Sequence, residues 1–218
     1  MSGPVVSGLG ARLAAEPTTL VLLRHGVTDH TVRRLFCGSG GSDPDLNEEG
    51  RAQAARAAAW ISRHHQVDAV IASPLRRAQQ TAEAVAQATG LDIATEPGVA
   101  EAAFGEWDGH SFGEVMERWP EEMAAWFESP AVAPPGGESL EQVDARVQAA
   151  LERILDEHRG RTVVVVSHVT PIKMLVKEAL GAPITSIHAL ELAPASVSTL
   201  AWWPDGLPSL RGFSLVPE

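Results

Sequence analysis

The chain is expected to fold as an α/β protein, a three-layer α/β/α sandwich built on a mainly parallel sheet. Three observations lead there. Apolar runs at 19–23, 67–72 and 163–166 have strand length and are almost continuously hydrophobic, as strands covered on both faces must be. Each is followed by a segment with helical signals, and strand–helix alternation implies parallel neighbours joined by crossovers. At 218 residues and 44% hydrophobic, the chain also has enough apolar material for one sizeable core.

The elements follow in order. After the first strand, Asn47 caps a helix whose first turn carries Glu48 and Glu49, favourable at the positive end of the helix dipole. That helix runs through an alanine-rich stretch to about His64, and small side chains suit close packing on a sheet. The second strand ends at Ala72. Pro74 stands where the next helix should begin, Arg76 to Ala88 continue it, and Gly90 stops it. Ser111 to Phe127 reads as helix interrupted at Pro120. Ser139-Leu140-Glu141-Gln142 is a capping box, after which Val143, Val147, Leu151, Ile154 and Leu155 share one apolar face. A further helix from Thr170 to Leu180 ends at Gly181 and Pro183. Two last strands, 196–203 and 209–215, flank a Pro-Asp-Gly turn.

Residues 1–17 read as a flexible lead-in or linker remnant ahead of a single domain at 18–218. They lack the early positive region and longer apolar core of a secretory signal. Net charge is −11 with only two lysines, which argues against nucleic acid as a partner. A small anion can still be held by local arginines. No run reaches membrane-spanning length, so no membrane partner is expected. The lone cysteine, Cys37, excludes an intrachain disulfide and agrees with a reducing cytoplasm.

The chemistry concentrates where strands end. The first strand delivers Arg24-His25-Gly26 into a loop, at the carboxyl edge where open α/β sheets bind ligands. A neutral imidazole can attack phosphorus, and a guanidinium offers a planar fork of donors to phosphate oxygens. Gly26 is expected to let the phosphate approach the backbone closely. The second strand ends in Ser73-Pro74-Leu75-Arg76-Arg77-Ala78, the third in Ser167-His168-Val169-Thr170. Between them, Glu101 to Gly109 form a loop with three candidate acids, Glu101, Glu106 and Asp108. On chemistry alone any of these can serve, and either Arg76 or Arg77 can clamp phosphate. The remaining histidines, at 30, 64, 65, 110, 158 and 188, show no metal-ligand spacing, so neither metal nor cofactor is expected.

These four blocks, in this order, resemble the histidine phosphatase superfamily, which also contains the cofactor-dependent phosphoglycerate mutases. The resemblance runs from about Thr18 to Leu215 and implies a phosphoglycerate mutase-like fold. It implies His25 as a nucleophile that becomes phosphohistidine, with Arg24, Arg77 and His168 around the phosphoryl oxygens. The family's Ser-x-Leu-x-Arg-Ala pattern falls on Arg77. The family pattern also favours Glu101, four residues before Gly105-Glu106-Trp107-Asp108-Gly109, as general acid and then base. Thr28, Thr31 and Val169 join the expected substrate contacts.

Where many members carry Glu or Gln and a later Asn, this chain has Val27 and Thr31, which puts contacts beyond the phosphate in doubt. The blocks Phe104–Gly109 and Pro135–Ser139 look like the small phosphatase branch. That branch includes α-ribazole phosphatase and the acid phosphatase domains fused to ribonuclease H. The expectation is a metal-independent phosphomonoesterase acting on a small phosphorylated metabolite. A phosphoglycerate-type mutase and an inactive binding domain are the alternatives. Ala102, Ala103 and Phe104, where mutases place Arg, His and Tyr, argue against the first. Retention of all five reactive positions argues against the second.

Overall fold

The structure, a computed structural model, describes residues 16–218; most of the expected 1–17 lead-in thus lies outside the described residues. Six strands form one sheet: β1 (Thr18–Arg24), β2 (Ala69–Ala72), β3 (Ile93–Thr95), β4 (Thr162–Ser167), β5 (Val197–Trp202) and β6 (Pro208–Leu215). Their spatial order is β3-β2-β4-β1-β5-β6. The first four pair in parallel, whereas β5 pairs antiparallel to β1 and β6 antiparallel to β5. The sheet is therefore mixed, with a parallel centre and an antiparallel edge.

Seven helices are described: α1 (Asp29–Arg33), α2 (Glu48–His64), α3 (Arg76–Thr89), α4 (Phe112–Arg118), α5 (Pro120–Glu128), α6 (Leu140–Glu157) and α7 (Val169–Leu180). Strand side chains alternate between two cores. Leu20, Leu22, Val163 and Val165 pack under α6 and α7. Val21, Leu23, Val164 and Val166 pack under α2 and α3. Burial on both faces explains why these strands read as unbroken apolar runs.

The expected caps are present. Asn47 accepts from Gly50 N, Ser139 and Gln142 form a reciprocal capping box, and Gly90 and Gly181 end their helices with positive φ. The segment 111–127 resolves into α4 and α5, which meet at Trp119, with Pro120 opening the second helix. Short elements carry little sequence signal: the three-residue β3 and five-residue α1 were not expected. A third cluster of Trp107, Val115 and Met123 lies under α4 and α5, on the chain between β3 and α6.

Candidate active site

Parallel pairing of β2, β4 and β1 places three chain turns side by side. Their carboxyl ends carry Ser73, His168 and His25, and the ladder continues past them through Ser73 N to Val166 O (3.0 Å) and His25 N to Ser167 O (3.0 Å). Residues nearly a hundred positions apart therefore meet.

His25 is almost fully buried. Its Nδ1 lies 2.7 Å from the Gly26 carbonyl, which can only accept, so Nδ1 carries the proton and Nε2 keeps its lone pair. Burial, then the Arg77 and Arg24 charges, holds its pKa well below the usual histidine value. The ring is therefore neutral, with the Nε2 lone pair free. His168, fully buried beside it, has its pKa lowered in the same way, by burial and then by Arg77 and the His25 ring. Ser73 Oγ accepts from Leu75 N at 3.3 Å and lies 2.7 Å from His168 Nε2. With Ser73 donating to Nε2, the His168 proton sits on Nδ1, an atom without a partner among the described residues.

Gly26 meets a packing demand that the sequence did not suggest. A Cβ there would sit 2.3 Å from the Gly50 carbonyl, and one on Gly50 would sit 2.1 Å from the Val27 carbonyl. The two glycines let the loop after β1 dock backbone to backbone on the first turn of α2. Thr81 ties the same loop to α3, accepting from Gly26 N (3.2 Å) and donating to Arg77 O (2.8 Å).

Arg24 and Arg77 flank the histidine. Arg77, 1% exposed, donates to Cys37 O (2.9 Å) and lies 3.5 Å from Asp43. Arg24 donates to Leu192 O, and its Nε is a second buried donor without a partner among the described residues. Its guanidinium pKa is lowered to about 10 by burial, with Glu101 opposing and Arg77 adding to the fall. Arg24 and Arg77 thus put two positively charged side chains beside a neutral histidine, a charge balance that suits an anion. Arg76 turns away: its side chain is mostly exposed and lies 3.6 Å from Asp45.

Glu101 is buried on the same floor. Its carboxylate accepts from Ala102 N (2.9 Å), Val169 N (3.1 Å) and Thr170 N (3.2 Å), two of them the first amides of α7. The rival acids lie elsewhere. Glu106 is exposed, and Asp108 is spent on loop structure, accepting from Gly38 N (2.7 Å) and Ser42 N (3.3 Å).

Arg24, His25, Thr28, Thr31, Arg77, Glu101 and Val169 all line one cavity of about 400 Å³. His168 stands behind the cavity wall, its ring centroid 5.1 Å from that of His25. Thr28 and Thr31 form a reciprocal capping box on α1, so their hydroxyls are partly committed to that helix.

Sequence reasoning passed over several supports. Ser73 belongs to the Arg77 motif block, yet its residue type alone suggested no role. Arg146 on α6 grips the acid's loop, donating to Gly98 O (2.9 Å), Ala100 O (2.7 Å) and Glu101 O (3.1 Å) while paired with both oxygens of Glu138. Burial raises the Glu138 pKa, but the Arg146 bond and charge and the Ala103 N–H together carry it below the usual value. Lys173 and His188, neither of which the motifs singled out, also line the cavity. Only the Pro-Gly-Gly-Glu-Ser block hinted at Glu138. Among the described residues, no three His, Cys, Asp or Glu side chains gather to hold a metal ion. No helix of the described residues is long and apolar enough to cross a membrane.

Comparison with known proteins agrees with this geometry. The chain is 43% identical over 202 residues to the bifunctional protein Rv2228c of Mycobacterium tuberculosis, covering 93% of this chain and 54% of that one. It thus spans about half the length of that relative. It is 37% identical over 182 residues to phosphoserine phosphatase 1 of Hydrogenobacter thermophilus, covering 83% and 85%. A 2,3-bisphosphoglycerate-dependent phosphoglycerate mutase of Methylorubrum populi is 36% identical over 185 residues, covering 80% and 84%. Among solved structures, the mycobacterial glucosyl-3-phosphoglycerate phosphatase Rv2419c in complex with VO3 superposes with a TM-score of 0.82. It is 30% identical, with 91% of this chain and 99% of that one covered. The family model of the histidine phosphatase superfamily (branch 1) matches residues 20–213, and the chain belongs to that superfamily.

Proposed function

We propose that this protein is a metal-independent phosphomonoesterase that hydrolyses a small phosphate ester through a phosphohistidine on His25. The observation that carries this reading is the His25 ring itself. It is neutral, fixed in one tautomer by Gly26, and set between two guanidinium groups on the floor of the cavity.

In the first half-reaction His25 Nε2 bonds to phosphorus and the bond from phosphorus to the ester oxygen breaks. Positive charge that builds on the ring is stabilised by the Gly26 carbonyl through Nδ1–H. Arg24, Arg77 and His168 Nδ1–H stabilise the phosphoryl oxygens, supplying the charge that a metal brings in other phosphoryl-transfer sites. Glu101 gives its proton to the departing oxygen. In the second half-reaction Glu101 takes a proton from water, the hydroxyl oxygen bonds to phosphorus, and the bond from nitrogen to phosphorus breaks. The sum is ester plus water to alcohol plus phosphate.

The three residues after the acid favour hydrolysis over mutase chemistry. Ala102, Ala103 and Phe104 offer no charged or hydroxyl side chain to hold a phosphoglycerate for return transfer. The phosphatase relatives support the same choice.

The test is rapid-quench reaction with a ³²P-labelled alkyl phosphate. An acid-labile, base-stable phosphoenzyme should form and decay with release of inorganic phosphate. His25→Ala, folded by circular dichroism, should show neither and lose several orders of magnitude in kcat. Phosphate release by that variant at the normal rate would rule out the covalent route, and isomer formation without release would establish the mutase.

A further inference from the structure

The phosphate clamp occupies only the floor of the cavity, and the remaining walls differ from it in kind. They are Phe36, Phe104, Phe112 and Trp126, with Ile187 and the His188 ring beside them. The chain has five phenylalanines, and three line this one cavity. A fourth, Phe127, touches it from behind, its ring 6.1 Å from Phe112 and 5.2 Å from His188.

The walls are rigid where they are deep. Phe36 and Phe104 stand edge to face at 5.0 Å, and Trp126 is braced against the buried Trp107 at 5.8 Å. Phe112, by contrast, is 46% exposed, and Phe127 and Met116, close to it but outside the lining, are 43% and 52% exposed. Exposed apolar side chains continuous with an apolar cavity mark a surface that a ligand covers.

The polar groups above the floor are as telling. Lys173 and Arg34 can donate but not accept, no Asp, Asn, Gln or Ser side chain of the described residues lines the cavity, and its acceptors away from Glu101 are few: the Thr170 hydroxyl, the His188 ring, and the Thr28 and Thr31 hydroxyls, which are bonded to each other. The carboxylate of Glu101 accepts from three backbone amides, and its remaining capacity is the one the proposed proton transfers use. A hydroxyl-rich leaving group would be buried there with few side-chain acceptors for its O–H groups, a costly arrangement.

We infer that the leaving half of the substrate is a ring-sized apolar group, seated against Phe104, Phe112, Trp126 and the His188 ring, the last two already in edge contact at 5.6 Å. The substrate class is then the phosphomonoester of an aromatic or similarly flat apolar alcohol, not of a sugar or glycerol. This inference rests on the phosphatase reading of the same site.

Phosphonates test it, because they cannot be hydrolysed and so report the seat apart from the chemistry. Calorimetry on the full chain would compare methylphosphonate, 2,3-dihydroxypropylphosphonate and benzylphosphonate. The benzyl compound should bind at least about tenfold more tightly than the methyl compound, as expected for burying a phenyl ring, and the dihydroxypropyl compound should gain nothing. The benzyl-to-methyl ratio should fall about fivefold in Phe112→Ala, a rim change that leaves the core intact, and again in Trp126→Ala. Equal binding of benzyl and methyl compounds would leave the clamp standing and overturn the apolar seat. So would a ratio unmoved by Phe112→Ala, or tighter binding of the dihydroxypropyl compound than of the benzyl one. If none of the three binds, the clamp itself is wrong and the inference falls with it.

Discussion

The rings of His25 and His168 stand 5.1 Å apart, centroid to centroid, tilted by 56°. Two imidazoles so close, buried and flanked by arginines, are both held neutral. Their backbone and side-chain partners make them different. His25 donates Nδ1–H to Gly26 O, leaving the Nε2 lone pair free; His168 meets Ser73 at Nε2, and where Ser73 donates there, Nδ1–H is left to donate. In the proposed reaction one ring is the nucleophile and its neighbour a hydrogen-bond donor.

Ser73 is therefore expected to act as a positioning residue. Ser73→Ala removes the group that fixes the His168 tautomer, and kcat should fall about 10- to 100-fold, in line with losses at other histidine-orienting partners. KM should change little. Imidazole ¹⁵N shifts of labelled protein would show His168 as a single tautomer in wild type and a mixture in the variant. A variant with full kcat and an unchanged spectrum would deny Ser73 this role.

The acid is tested by its leaving group. An acid that protonates the departing oxygen matters most when that oxygen leaves poorly. Glu101→Gln should lose far more activity with alkyl phosphates than with p-nitrophenyl phosphate, and its phosphohistidine should persist longer for want of a base. Glu106→Gln and Asp108→Asn should show neither effect. Asp108→Asn should instead lower thermal stability, because its carboxylate ties the Gly38–Ser42 loop in place. If either rival reproduces the leaving-group pattern and Glu101→Gln does not, the acid has been misassigned.

Acidification should destabilise the fold through the two buried histidines. Their folded pKa values lie well below the ordinary value of about 6.5 that they regain on unfolding. Below pH 6.5 the unfolded chain binds protons that the folded chain refuses, so stability present above that pH is lost as pH falls. Each ring contributes up to about 1.4 kcal/mol per pH unit in this window. Urea unfolding at pH 7.5, 6.5 and 5.5 should show a decline that flattens in His168→Gln. A wild type equally stable at all three pH values would contradict the burial effect. The same shift keeps His25 unprotonated in weak acid, so turnover should persist there.

Activity should survive removal of divalent ions. In the proposed reaction Arg24 and Arg77 supply the positive charge at the phosphoryl group, and both line the cavity. Turnover after EDTA treatment and gel filtration should match the untreated enzyme within about twofold. Loss that is restored by one divalent ion alone would overturn the prediction.

What the sequence by itself determined is local or periodic. The apolar runs of β1 and β4 read as doubly buried strands because nearly every side chain in them is apolar. Asn47, Ser139 with Gln142, and the stop glycines read as helix ends because capping is a contact between near neighbours. The motif blocks named residues that line the cavity, Arg24, His25, Arg77 and Glu101, and His168 behind its wall, because their chemistry is carried by residue type. Tertiary structure decided the rest, since it depends on pairs remote along the chain. The sheet order brought Ser73 to His168 across 95 positions. Packing against Gly50 gave Gly26 a demand that no local pattern carries. Helix α6 brought Arg146 back onto the loop of Glu101. The family pattern favours Glu101 over Glu106 and Asp108, and only the folded chain seats its carboxylate on the first turn of α7.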